Sequence, residues 1–226
     1  MKPSIRFSPR FAAVMLLLVF GFATSAFAGP PLICHPFDIG NAKSLPWTGT
    51  GWDLSGNENY DIKNLTPDTL AILDAGAPVI VRMETLRRAT LYARKDPQAA
   101  KELLTRLYQR TTAAHADALA WFDAGYLAAA LTQWSGKDQN PAAGIDGYSL
   151  VKKAIVLKGS PDAEMEFAAA LISFYPAQPE HQQHAQKAIA GAQNDPLLAK
   201  NLARHFLGSP KQTVAEAIAK SGSESK

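Results

Sequence analysis

One cysteine and five histidines are the side chains of this 226-residue sequence with the most chemistry to offer, and two pairs among them stand close enough in sequence to act together. Cys34-His35 sets a thiol beside an imidazole, groups that bind soft metals and also make a nucleophile with its base. Adjacent residues point in different directions, so a metal there needs further ligands. Asp38 is the nearest, and no C-x-x-C or H-E-x-x-H spacing accompanies the pair. His181 and His184 fall three apart, which puts both imidazoles on one helical turn beside Glu180. The polar run from Gln178 to Lys187 also fits a solvated first turn without a metal. His115 and His205 have no evident partner in sequence. Trp47 and Trp52 bracket Thr-Gly-Thr-Gly, an arrangement suited to stacking on a sugar ring or a proline, or to pinning irregular backbone onto helices. No G-K-[ST] follows those glycines, so they make no phosphate loop. Asp123 is the one charge between Leu119 and Leu131, costly unless paired or exposed; a raised-pKa acid is one reading and a groove or edge position the simpler expectation. No G-x-S-x-G elbow, dinucleotide fingerprint or partnered carboxylate pair is present.

The elements that must position these residues are helices. A small hydroxyl or carboxylate residue directly followed by proline recurs at Thr66-Pro67, Asp96-Pro97, Ser160-Pro161, Asp195-Pro196 and Ser209-Pro210. Each is a helix start: the first side chain accepts orphan backbone N–H bonds, and the proline supplies a fixed φ where its missing N–H costs nothing. Between the starts the apolar spacing is helical, as in Leu103, Leu107 and Tyr108, or Met165, Ala168, Ala169 and Ile172. The spacing predicts helices near 66–76, 79–94, 97–110, 114–134, 148–157, 161–175, 179–193 and 196–208, with a short ninth from Pro210 to about Lys220. Ser135 to Gly147 reads as a long loop. Strand-like alternation is essentially absent, so the fold class is all-α.

Residues 1–28 have a basic start at Lys2, Arg6 and Arg10, an uncharged apolar run from Phe11 to Ala23, and the small-residue end Ala26-Phe27-Ala28. That is the layout of a secretory signal peptide cleaved after Ala28. The run is too short for a membrane anchor, which needs about 20 apolar residues. The expected product is periplasmic or secreted, with no stable anchor. The chain carries 23 Lys and Arg against 20 Asp and Glu; three of the bases leave with the signal peptide, and the balance falls to zero. A phosphate-tracking surface has no excess of charge to draw on, so nucleic acid is excluded as a partner. A single cysteine forms no internal disulfide, and Ile33 before Cys34 does not suit lipid attachment. From Gly29 to Asn64 the chain is rich in Pro, Gly, Asn and Trp and reads as an irregular leader. The helical domain then spans 65–220, and 221–226 is a frayed polar tail.

Ala154-Ile155 and Ala188-Ile189 occupy equivalent places in their helices, 34 residues apart. Ala168 and Leu202, Ala169 and Ala203, and Ile172 and Phe206 keep the same period. Trp121-Phe-Asp-Ala-Gly125-Tyr-Leu and Ala154-Ile-Val-Leu157-Lys-Gly-Ser-Pro161 complete the pattern. On these residues the segment 82–208 resembles the tetratricopeptide-like helical repeat family, whose 34-residue unit is a pair of antiparallel helices that must stack to bury its apolar faces. Gly125 and Ala169 are 44 apart, which assigns an insertion to the loop at Ser135 to Gly147. The resemblance implies that the first helix of each pair lines a concave groove, with Phe122, Tyr126, Glu166, Phe174, Lys200 and Arg204 facing a peptide or protein partner. Phe122, Tyr126 and Phe174 equally fit a buried core. Two readings follow: a non-catalytic peptide-binding or scaffolding module that needs no cofactor, and a metal-binding protein or enzyme using Cys34 and His35 with the His181 and His184 pair.

Overall fold

A computed structural model of the chain describes residues 32–49, 54–74, 76–135, 140–174 and 177–206. The signal segment, Trp52, the ninth helix and the polar tail lie outside the described residues. Within them the protein is all-helical and has no strand: α1 Leu65–Asp74, α2 Val79–Ala93, α3 Pro97–Ala113, α4 Ala118–Ser135, α5 Gly147–Lys158, α6 Ala163–Phe174, α7 His181–Gly191 and α8 Pro196–Phe206. Short 3-10 turns at Ile62–Asn64 and Ala192–Asn194 precede α1 and α8.

The proline starts act as expected at two places. The Asp96 carboxylate accepts from the N–H groups of Gln98 (2.9 Å) and Ala99 (3.3 Å), and Asp195 accepts from Leu197 (3.0 Å) and Leu198 (2.9 Å). At Ser160-Pro161 the helix begins later than expected. Gly159, at φ +68°, ends α5 in the left-handed region, the pair falls in the link, and Asp162 caps α6 by accepting from Met165 N–H at 3.0 Å. α1 begins at Leu65, so Pro67 sits inside its first turn, where the missing N–H is harmless.

Neighbouring helices pack in antiparallel pairs, most extensively α4 on α5 and α6 on α7. In the first pair the backbones touch. A Cβ added to Gly125 would stand 2.8 Å from the Gly147 carbonyl oxygen, and one added to Gly147 would stand 2.5 Å from that of Gly125. In the second, a Cβ on Gly191, at the end of α7, would meet Ala163 Cβ, at the start of α6. α5 and α7 begin 34 residues apart and α6 and α8 begin 33 apart, whereas α2 and α4 begin at 79 and 118 and keep no such period.

α2 runs through the middle of the molecule, and 14 of its 15 residues are buried, among them Arg82, Glu84 and Arg87. A helix carrying that many charges survives burial because each finds a partner at once. Arg82 donates to the carbonyls of Ala77 (2.8 Å) and Leu73 (2.7 Å) and to Asp123 (2.6 Å). It thereby closes the end of α1 against α2 and α4.

Candidate functional site

The other buried charges of α2 face the leader, whose large apolar side chains reach the core: Leu32, Ile33 and Leu45 are completely buried and Phe37 is 3% exposed. An irregular segment leaves its backbone groups without a ladder, and helix side chains take them up one by one. Leu32 N–H donates to Gln133 on α4 (3.0 Å), Arg87 Nε donates to the Ile33 carbonyl (2.8 Å), and Phe37 N–H donates to Glu84 (2.9 Å). Glu84 also accepts from Arg87 (3.2 Å) and Arg88 (2.7 Å). At α8, Asn201 holds the Asp38 peptide by both ends: Asp38 N–H donates to Oδ1 and Nδ2 donates to the Asp38 carbonyl, each at 2.8 Å. Arg204 donates to the Pro36 carbonyl (3.2 Å), and Lys200 pairs with the Asp38 carboxylate. Further on, Arg88 donates to the Leu45 carbonyl (2.6 Å) and the Tyr92 hydroxyl to that of Pro46. Trp47 then lies edge-on to Tyr92 and under the guanidiniums of Arg87 and Arg88, the pinning role expected of it.

The residues with metal or nucleophile chemistry go to separate places. His35 meets His205 edge to face (5.5 Å between ring centres), and Phe37 stacks flat on His205 at 4.4 Å. Burial pushes the Cys34 thiol up, only partly opposed by Arg87, which leaves it protonated and a poor ligand or nucleophile. Burial holds the His35 imidazole down, helped by Arg204 and Arg87. The solvated first turn expected for His181 and His184 is corrected by neighbours that the local sequence does not contain. His184 is buried, with Nδ1 on Glu166 and Nε2 on the Tyr148 hydroxyl (2.9 Å). His181 turns its Nδ1 to the Ala170 carbonyl (2.9 Å). The two imidazoles therefore face different partners, and no group of three His, Cys, Asp or Glu among the described residues is placed to hold a metal. Asp123 sits in the interior and not at a groove or edge. It is fully buried and bonded by Arg82 (2.6 Å) and Arg110 (3.4 Å), and burial outweighs both guanidiniums to push it up to about 6.

The six groove residues do not share one face. Phe122 and Tyr126 are 0% exposed and stack on each other. α4 is enclosed by α2, α3, α5 and α6, so neither ring has surface to present to a partner, and the core alternative holds for both. Lys200 and Arg204 hold the leader. Phe174 is half-buried against His181. Glu166 is 6% exposed and forms a chain with Lys187 (3.0 Å), His184 and Tyr148 that joins α5, α6 and α7. Beside it opens a cleft of about 630 Å³ between the α5–α6 turn and α7, with Ile155, Pro161, Ala163 and Ala190 on its walls and Glu166 and Lys187 at its polar end. Sequence reasoning missed Glu84, Arg87 and Asn201, and found no partner for His205. The signal for the first two was the charge density inside an otherwise buried-looking α2.

Compared with known proteins, the chain matches no family model, no curated protein and no solved structure.

Proposed function

We propose that this chain is an exported helical-repeat scaffold that binds a peptide or protein segment and performs no chemistry of its own. One observation carries the binding reading. Side chains of α2, α4 and α8 fix the backbone of an irregular segment, here residues 32–38, through both its N–H and C=O groups. A helix array that takes up the backbone groups of an irregular segment in this way has the donors and acceptors that peptide recognition uses. Export rests on the sequence of residues 1–28, and the repeat on the 34- and 33-residue spacing of the last two helix pairs together with the full burial of Ala154 and Ala188. Since the leader occupies its own seat, a segment from another molecule takes the open cleft at Glu166 and Lys187. A peptide-display selection against the full-length exported protein tests this. Peptides should be enriched, and Lys187→Glu should lose them while far-ultraviolet helicity is unchanged. Equal retention by the variant removes the cleft assignment, and failure to enrich any peptide removes the binding reading.

A further inference from the structure

The seam between the leader and α8 encloses a titratable group that the binding reading does not use. His205 is 2% exposed, and neither ring nitrogen completes a hydrogen bond among the described residues, although the Pro36 carbonyl lies close enough to favour its proton. It is walled by rings: Phe37 stacked on one face at 4.4 Å, with His35 (5.5 Å) and Phe167 (5.6 Å) edge-on. The charged groups that face it are of one sign. The leader contributes His35, α2 contributes Arg87, and α8 itself contributes Arg204, while from α6 it meets the Phe167 ring. The nearby carboxylates are already engaged, Glu84 by Arg87, Arg88 and Phe37 N–H, and Asp38 by Lys200. A proton arriving on His205 therefore finds no free anion and only the Pro36 carbonyl to favour it, and a second proton on His35 adds repulsion across the same seam.

We propose that His35 and His205 form an acid-operated latch: uncharged, they seat residues 34–38 against α6 and α8, and protonated, they release that part of the leader and uncover Phe167. The direction follows from linkage. Burial, then His35, Arg204 and Arg87, hold the His205 ring well below its ordinary range, with the Pro36 carbonyl opposing. A group with a lowered pKa in the docked state binds its proton better when the leader is free. Docking is thus fully present above the unfolded value of about 6.5 and is lost as pH falls below it. The latch does not depend on what the protein binds.

Cys34, the sole cysteine and partly buried at the latch, is a built-in reporter. Its reaction rate with a dithiodipyridine, divided at each pH by the rate of the urea-unfolded chain, should rise about tenfold or more between about pH 7 and about pH 5. His205→Phe keeps a ring in the stack and removes the proton site, so its ratio should stay within about twofold across that range. A flat wild-type ratio overturns the latch, as does the same rise in the variant. Should the variant fold poorly, the unaltered protein still decides. The His205 ring, followed by NMR, should titrate with the same midpoint as Cys34 exposure, and exposure of Cys34 while His205 stays unprotonated overturns the proposal.

Discussion

Asp123 ionises near pH 6, well above an exposed carboxylate, because enclosure outweighs the two guanidiniums that face it. Arg82 is the closer of these and also occupies the carbonyls of Leu73 and Ala77. Replacing it with methionine should push Asp123 above about 6 and cost about 3–5 kcal/mol, the usual loss when one partner of a buried ion pair is removed. Urea denaturation, with an NMR titration of the Asp123 carboxyl, checks both, and a variant as stable as the parent would show that the pair contributes little. At this scale the sequence was least informative. It marked Cys34, His35, His181, His184 and Asp123 as the residues to explain, but their partners arrive from other elements: His205 for His35, Tyr148 and Glu166 for His184, Arg82 and Arg110 for Asp123. Nothing in local spacing announces contacts made by separate helices.

Elements were far more legible. Of the nine expected helices, the eight that fall on described residues correspond to the eight observed there, with ends that differ by a few residues, because apolar period and capping chemistry are local properties. The late start of α6 is informative: Asp162 is as good a cap as Ser160, and the left-handed Gly159 settles which one is used. Gly125, part of the repeat-like segment, stands at the backbone contact of α4 with α5. Gly125→Ala would place a methyl 2.8 Å from the Gly147 oxygen and 2.9 Å from Val151 N, atoms that cannot swing aside. Alanine's better helix propensity returns about 1 kcal/mol, and the net loss in urea denaturation should be about 1–2 kcal/mol after overpacking. A neutral or stabilising result would mean the two helices cross elsewhere. What period could not give is the face each helix buries. α2 hides nearly all of itself, charges included, so no amphipathic stripe exists to be read.

For the molecule as a whole, the leader is as much a structural member as any helix. Phe37 fills a slot between Phe167 and His205, and Phe37→Ala should cost about 3–5 kcal/mol by the usual large-to-small penalty. Trp47 lies on the same segment against Tyr92. Above about pH 7, where the His35–His205 latch is closed, near-ultraviolet signals from the leader and far-ultraviolet signals from the helices should therefore vanish together in one urea transition. An early, separate loss of the tryptophan signal would show instead that the leader docks as an independent layer. Composition and spacing conveyed a helical array with an irregular segment at its start. They did not convey that the array's side chains close on that very segment, since the bonds involved join residues far apart in the chain.

The grip of Asn201 on Asp38 spans 163 residues. A ribosome delivers the first of these positions long before the second, so a nascent leader can lodge on α2 early while its grip at Asp38 stays unmade until α8 has emerged. Closing that last clasp joins the two extremities of the described fold.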